Sequence, residues 1–456
     1  MASFALVATA EGERGIGAMK RAKWVRTGSA VAAALWLVAA WPGSALAGSG
    51  SSVPAYRTAE GAKKVEGAES SADGPSLTPG IYTDSIGRGQ KLYYSVALDE
   101  KSNAYLSAVA APRPGARVAY GDGVKVTLES TDNTSCGQGG DPTFEADRAV
   151  RPIADYAARE IEQDGSCQEA GTYLLAVERT SAISSDQGRW PIEIRFMTEP
   201  GVKAGTSGQP GEASWSSATP TPPIGEAKVR EGGTGFNDAS VLAAGVWKDR
   251  LSPGETHFFA IPVDWGQQLF ATAEFANAPA TGHSGFSAPG ARIELYNSAR
   301  GQVIDDSTSY TGEQTVLRFG TAPAAYANRF SDHGRDVTRM RFAGRYYLAV
   351  SVHPDVARLV RGKVPVTLRL TVRGKRQQGP TYIGDPVKAG FGLSGDDGTG
   401  TSGGGAGKKL IGFAGIGAGT VLVLCLGGWA LVSRRRVAAD SAPPRAGEQF
   451  GPPPAW

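Results

Sequence analysis

Along much of the chain, large apolar residues return at every second position, the period of a strand with one buried face. Leu92, Tyr94, Val96 and Leu98 share one face of the first such run, and Phe259, Ile261 and Val263 repeat the pattern further on. Val124, Val126 and Leu128 predict another strand, matched by Ile293 and Leu295. Segments around Tyr173 and Pro191 supply two more, with counterparts around Tyr346 and Pro365. Gly, Pro and Asp separate these short runs, so the pattern predicts antiparallel β-sandwiches and a mainly β chain. Only residues 148–163 have a helix-like composition, and their counterpart at 323–330 is too short and irregular for a helix.

The counterparts arise from a duplication. Gly80-Ile81-Tyr82-Thr83-Asp84 is matched by Gly245-Val246-Trp247-Lys248-Asp249, and at the same offset of 165 residues Gly89 falls on Gly254, Tyr94 on Phe259 and Val96 on Ile261. Gly171-Thr172-Tyr173 then returns as Gly344-Arg345-Tyr346, and Pro191-Ile192-Glu193-Ile194 as Pro365-Val366-Thr367-Leu368. Two tandem jelly-roll-like sandwiches are expected, at 77–200 and 225–374. Tyr82 and Trp247, Tyr94 and Phe259, Tyr173 and Tyr346, and Val177 and Val350 are expected on equivalent strands. Differences between the copies should fall in the excursion between Cys136 and Cys167 and in second-copy connections at 276–290 and 302–337. Recognition is expected on those second-copy loops, with 276–290 dispensable for folding.

Composition places the remaining segments. Residues 48–76 are rich in Gly, Ser, Ala, Lys and Glu, with too little apolar surface to offset chain entropy, and are expected to be disordered. Residues 201–224 resemble an interdomain linker, and 375–409 a Gly-rich stalk. A Pro-rich tail at 433–456 is expected to be extended.

Both ends point to a membrane. Lys20, Arg21, Lys23 and Arg26 precede a short apolar run and the small-residue site Ala45-Leu46-Ala47, the pattern of a signal peptide spanning 1–47. Met19 directly precedes the basic cluster and is an alternative start that would give a signal of ordinary length. Residues 410–432 carry no charge and would form a helix of roughly 35 Å, enough to cross a hydrocarbon core of about 30 Å. Arg434-Arg435-Arg436 behind it favours a cytoplasmic C-terminus, which puts the domains outside the plasma membrane. Gly415 and Gly419 form a small-xxx-small pair through which the span could dimerise. In that oxidising compartment Cys136 and Cys167 can pair, the alternative being two free thiols, while Cys425 lies in the span.

The order Gly-x-aromatic-x-Asp, an aromatic strand, a strand like Arg292-Ile293-Glu294-Leu295-Tyr296, then Ala170-Gly171-Thr172-Tyr173 and a closing strand resembles the bacterial pre-peptidase C-terminal domain. Signal, two such domains, stalk, single span and Arg-rich stop are together similar to membrane-anchored surface proteins of high-GC Gram-positive bacteria. The resemblance implies non-catalytic modules, in a family some of whose members bind polysaccharide, collagen or calcium. It also implies a partner protein, such as one with a von Willebrand A domain, or a cell-envelope glycan.

Reactive groups are sparse. The four histidines, His257, His283, His333 and His353, have no zinc-pair spacing, and neither HExxH nor CxxC occurs. No cofactor is expected. Gly282-His283-Ser284-Gly285 has a nucleophile elbow's composition, but its second glycine is one position early and no strand leads into it. An envelope hydrolase or peptidase-related enzyme using His283, Ser284 and His353 is therefore the alternative to a binding protein. The recurring acids, Asp84 and Asp99 against Asp249 and Asp264, either serve turns or share an ion site such as calcium, although no twelve-residue calcium loop is present. Basic residues gather late in the second copy, from Arg335 to Arg376. They form either one anion-attracting face or an ordinary solvated one. The compartment and a net charge of only +3 argue against nucleic acid.

Overall fold

The computed structural model describes residues 53–145, 148–162, 165–205 and 215–394. The signal segment, the apolar stretch 410–432 with Gly415, Gly419 and Cys425, and the Pro-rich tail lie outside the described residues. Among the described residues no helix is long and apolar enough to cross a membrane.

Both copies are five-on-five sandwiches built from the same ten strands. The first contains β1 (Lys63–Lys64), β2 (Ser76–Leu77), β3 (Gly80–Ile86), β4 (Lys91–Leu98), β5 (Asn103–Ala110), β6 (Lys125–Ser130), β7 (Ser135–Gln138), β8 (Ile153–Arg159), β9 (Gly171–Glu178) and β10 (Trp190–Glu199). The second contains β11 (Lys228–Val229), β12 (Ser240–Val241), β13 (Gly245–Leu251), β14 (Thr256–Val263), β15 (Gln268–Phe275), β16 (Ser287–Tyr296), β17 (Gln302–Tyr310), β18 (Thr315–Gly320), β19 (Gly344–Val352) and β20 (Val364–Arg373). The sheets run β1-β3-β10-β5-β8 and β2-β4-β9-β6-β7, then β11-β13-β20-β15-β18 and β12-β14-β19-β16-β17, so each strand's counterpart is ten places on. Register is kept as well: Tyr94 lies opposite Leu175 as Phe259 does opposite Leu348, and Ile194 opposite Tyr82 as Leu368 does opposite Trp247. Gly89 and Gly254, at the same repeat position, both take positive φ (65° and 91°) in the turn after the third strand, which explains the shared glycine.

The Gly-x-aromatic motif has a specific job. Each of its rings packs on the core, and its polar tip donates to the carbonyl four residues back. Tyr82 Oη reaches Thr78 O at 2.9 Å and Trp247 Nε1 reaches Ala243 O at 2.9 Å. Tyr173 Oη reaches Glu169 O at 2.6 Å and Tyr346 Oη reaches Phe342 O at 2.9 Å. Four strand entries are thereby pinned, by the device of the tyrosine corner. Tyr82, Tyr94, Phe259, Tyr173, Tyr346, Val177 and Val350 are all buried, whereas Trp247 is half-buried.

Between the copies lies a seam formed by unlike sheets. Outward side chains of β5, β8 and β10 meet outward side chains of β14, β16 and β19 in two apolar clusters, one around Tyr105, Phe342 and Phe391 and one around Val109, Phe258 and Tyr296. Ion pairs flank these clusters. Glu193 meets Arg300 at 2.6 Å, Glu199 meets Arg329 at 2.7 Å, Glu160 meets Arg341 at 2.7 Å, and with reversed polarity Arg151 meets Glu294 at 3.5 Å.

Several expectations are corrected here. Residues 53–76 are ordered: β1 and β2 extend the two sheets, and Tyr56 and Ala59 donate to Glu193 in the seam, so neighbouring surface supplies the burial this segment lacks on its own. Residues 375–394, expected as stalk, fold back. Tyr382 Oη donates to Glu199 at 2.7 Å, and Phe391 packs on Tyr105 and Phe342. The expected linker is likewise engaged, since Trp215 packs on the second core and Pro223 O accepts from Arg369 at 3.0 Å. Residues 148–163, helix-like in composition only, contain strand β8, in which Ile153 and Ala157 face one core while Ala154 and Tyr156 face the seam. Residues 302–337 hold β17 and β18, whose polar outer faces hide their alternation, followed by the one-turn helix α1 (Arg335–Thr338).

Two outcomes follow for equilibrium denaturation. Tyr346→Phe is expected to cost about 1 kcal/mol and Tyr346→Ala about 3 to 5 kcal/mol. Arg329→Met strands the buried Glu199 carboxylate and should cost about 3 to 5 kcal/mol, most of it recovered by adding Glu199→Leu. An Arg329→Met variant as stable as wild type would show that the seam is not closed as described.

Candidate functional site

The recurring acids hold turns and segments of the fold. Asp99 and Asp264 serve turns: Asp99 Oδ1 accepts from the backbone N–H groups of Lys101 (2.8 Å) and Ser102 (2.6 Å), and Asp264 Oδ1 from Trp265 (2.9 Å). Asp84 and Asp249 clasp the preceding segment to the sandwich. Gly67 N donates to Asp84 Oδ2 at 2.7 Å, and Gly232 N to Asp249 Oδ2 at 3.2 Å. In the first copy Tyr94 Oη also donates to Asp84, at 2.8 Å. The second copy has Phe259 there, which lacks the hydroxyl, and His257 in place of Leu92 brings Nδ1 to 2.6 Å from Asp249 Oδ2. One polar partner has been exchanged for another across a shared strand. Burial raises the Asp249 carboxyl, but the hydrogen bond and charge of His257, with two backbone donors, bring it below its ordinary value. His257 is thus a buried structural residue. Among the described residues no group of three or more His, Cys, Asp and Glu side chains gathers as for a metal ion.

The enzyme candidates sit elsewhere. His283 and Ser284 lie on the exposed β15–β16 connection, where His283 Nδ1 is 3.3 Å from Thr281 Oγ1. His353 Nδ1 accepts from Asp355 N at 3.0 Å, capping the short 3-10 turn Pro354–Arg358. His353 also lines a crevice between the copies, together with Arg151, Arg292 and Pro354, whose free volume of about 20 Å³ suits a single water molecule.

Cys136 and Cys167 are joined in a disulfide with Cα atoms 5.5 Å apart. The bridge ties β7 to the loop before β9, where Tyr173 Oη also donates to Cys167 O at 3.1 Å. It is a local staple, at a place where the second copy lengthens β17 instead.

The late basic residues do not form one free face. Arg341 is buried on Glu160, and Arg339 lies over the Tyr156 ring at 4.9 Å. Arg335 meets Asp305 at 2.5 Å, Arg369 meets Glu274 at 2.7 Å, Arg376 meets Asp264 at 3.4 Å, and Arg358 pairs with Asp355. Alternation along a strand, which suggested a shared face, instead divides these residues between seam and solvent.

What remains on the second copy is its loop end. An open cleft of about 590 Å³ lies between Asn277, Ala278 and Ala280 on one side and Thr311, Gly312, Glu313 and Gln314 on the other. Further along the same β15–β16 connection Phe286 is 69% exposed. The connection is not dispensable as a whole, because Ala278 packs on the core, Arg361 N donates to Pro279 O at 2.7 Å, Thr281 N donates to Leu359 O at 2.9 Å, and β16 begins at Ser287. Only residues 282–286 project freely.

No family model and no curated protein matches the chain. Among solved structures, the CUB1-EGF-CUB2 domain of human MASP-1/3 is similar at 7% identity over 64% of this chain and 99% of that chain, with a TM-score of 0.15. The ANX2 ectodomain from Arabidopsis thaliana is similar at 6% identity over 66% and 85%, with a TM-score of 0.17. The plant peptide RALF23 in complex with FER and LLG2 is similar at 10% identity over 63% and 84%, with a TM-score of 0.18. At these scores the likeness carries no argument about function.

The seam sets a pH dependence. Burial raises both Glu193 and Glu199, yet Arg300 and Arg329 respectively bring them below the ordinary carboxylate range. A depressed folded value contributes stability that is present above the unfolded value, about 4.3, and lost as pH falls through the folded one. The thermal midpoint is therefore expected to drop between about pH 5 and pH 3. The Glu193→Gln, Glu199→Gln variant should start lower and change less over that window, and an equal acid loss in both proteins would count against the assignment.

Proposed function

We propose that the chain is a non-catalytic binding or scaffold protein of the outer cell surface, whose two fused sandwiches hold loop ends out to a partner protein or a cell-envelope glycan. The observation that carries this reading is the disposition of its polar chemistry. His257, the buried arginines and the recurring acids are engaged in holding the fold, whereas a free loop and an open polar cleft stand on a rigid body. Rigid scaffolds with variable loops are a common basis of recognition.

The disulfide supports an oxidising compartment, in line with the signal and span read from the sequence. In this reading the domains face outwards, the stretch 410–432 anchors them, and Gly415 and Gly419 offer a contact between two copies. The likeness to pre-peptidase C-terminal domains belongs to the same proposal, as does a partner with a von Willebrand A domain.

Crosslinking in cells followed by purification from solubilised membranes tests the reading. Replacing residues 282–286 by a Gly-Ser segment of equal length should leave the thermal transition unmoved and remove the crosslinked species. Full capture by that variant would overturn the placement of the site, and recovery of wall polymer alone would overturn the protein partner.

A further inference from the structure

The equivalent end of the first sandwich has a different character. Two turns meet there, one between β5 and β6 and one between β9 and β10, and each turns a large apolar side chain outwards: Tyr120 is 70% exposed and Ile183 95%. The turns are joined by one buried acid. Asp122, 0% exposed, accepts from Ala119 N at 2.9 Å and Ala182 N at 3.1 Å, and also from the Ser185 hydroxyl. Gly123 N donates to Thr180 O at 3.0 Å, which adds a backbone link. Tyr120 and Ile183 are therefore presented on a fixed apex, each within two residues of an Asp122 contact.

Charge around this apex is mainly positive, with Asp186 as a partial counterweight. Arg88, Arg113, Arg117 and Arg189 are exposed, and none of them forms an ion pair among the described residues. Arg88 donates to Ile183 O at 2.8 Å, which holds its guanidinium beside Ile183 without neutralising it, and Arg189 donates to Ser85 Oγ at 2.9 Å in the turn region that carries Arg88. Asp186 is the partly exposed carboxylate nearby, bound to the backbone of Arg117 and Gly188.

A convex apex of isoleucine and tyrosine ringed by guanidinium groups complements a surface that is anionic outside and apolar just beneath. A bilayer with anionic headgroups has that profile: phosphates meet the arginines, the tyrosine ring sits at headgroup level, and the isoleucine reaches the acyl boundary. A glycan offers only the C–H faces of its sugar rings to Ile183, a smaller apolar depth than an acyl layer. The reach is adequate. Phe391, near the last described residue, packs 5.5 Å from the Tyr105 ring towards the opposite end of β5, where five residues, about 17 Å of strand, lead from Tyr105 to Ala110 at the apex end. The 15 residues from 395 to 409 span up to about 50 Å when extended. We infer that the Tyr120–Ile183 apex is a lipid-contacting surface that docks the first sandwich on an anionic bilayer, a role separate from partner recognition by the second-copy loop.

Flotation with defined vesicles tests this. Full chain carried in phosphatidylcholine nanodiscs is mixed with vesicles of phosphatidylcholine alone or of an equal mixture with phosphatidylglycerol. Binding to the anionic vesicles should be at least about tenfold higher and should weaken with salt. Tyr120→Ser with Ile183→Ser should lower it about tenfold without shifting the thermal transition, a loss that Tyr120→Phe with Ile183→Leu should not show. Replacing the four arginines by glutamine should abolish binding. Equal flotation with both vesicle types overturns the inference. So does full binding by the serine variant; if soluble polyphosphate then competes, the arginines form a site for free phosphate polymers instead.

Discussion

A charge removed from water must be paired, and in this protein that constraint governs how two copies of one fold become one body. Glu193 and Arg300, with Glu199 and Arg329, are all but inaccessible to solvent, each on a different copy. Removing one partner leaves the other uncompensated, so the pairs disfavour any other placement of the sandwiches more strongly than apolar contact would. The apolar clusters beside them supply the attraction, while the pairs set the register. Tyr56 and Asn237 complete the shell of Glu193, and Tyr382 that of Glu199, which is why the segments before and after the sandwiches and the β11–β12 connection converge on the same seam.

The duplication shows which features the fold needs. Polar-tipped aromatics at four strand entries and the Asp clasp are present in both copies, because an edge segment without its own core must be tied by side chains. The partner of the clasp is free to change, as Tyr94 and His257 illustrate. Loops have diverged furthest: the first copy has a disulfide and a basic, apolar apex where the second has an open polar cleft and Phe286. Each copy commits a different sheet to the seam, so the contact is heterologous, and both loop ends stay open to solvent.

This arrangement suits a protein that works by contact. With the faces β5, β8 and β10 on one side and β14, β16 and β19 on the other committed to each other, recognition is left to the ends, where a rigid body keeps loops in place at little entropic cost on binding. Two ends with different chemistry can also serve different targets, one a macromolecular partner and the other a lipid surface.

The sandwich class and five of the ten strand correspondences were legible in the chain, because alternation and a constant offset are local properties that survive duplication. In contrast, β1, β2, β5, β7, β8 and their counterparts emerged only in the folded structure. The pairing of Cys136 with Cys167 was legible only as an option. Residues 104–111 and 258–263, apolar almost without a break, carried local signs of the seam, since a strand covered on both faces loses its alternation. What covers those strands, and which arginine meets which glutamate, depends on residues more than a hundred positions apart, and charged side chains in sequence look alike whether they end in water or in a seam. The same limit made residues 53–76 and 375–394 read as unfolded. Their own composition cannot bury enough surface to order them, and the surface that does so belongs to the assembled pair of sandwiches.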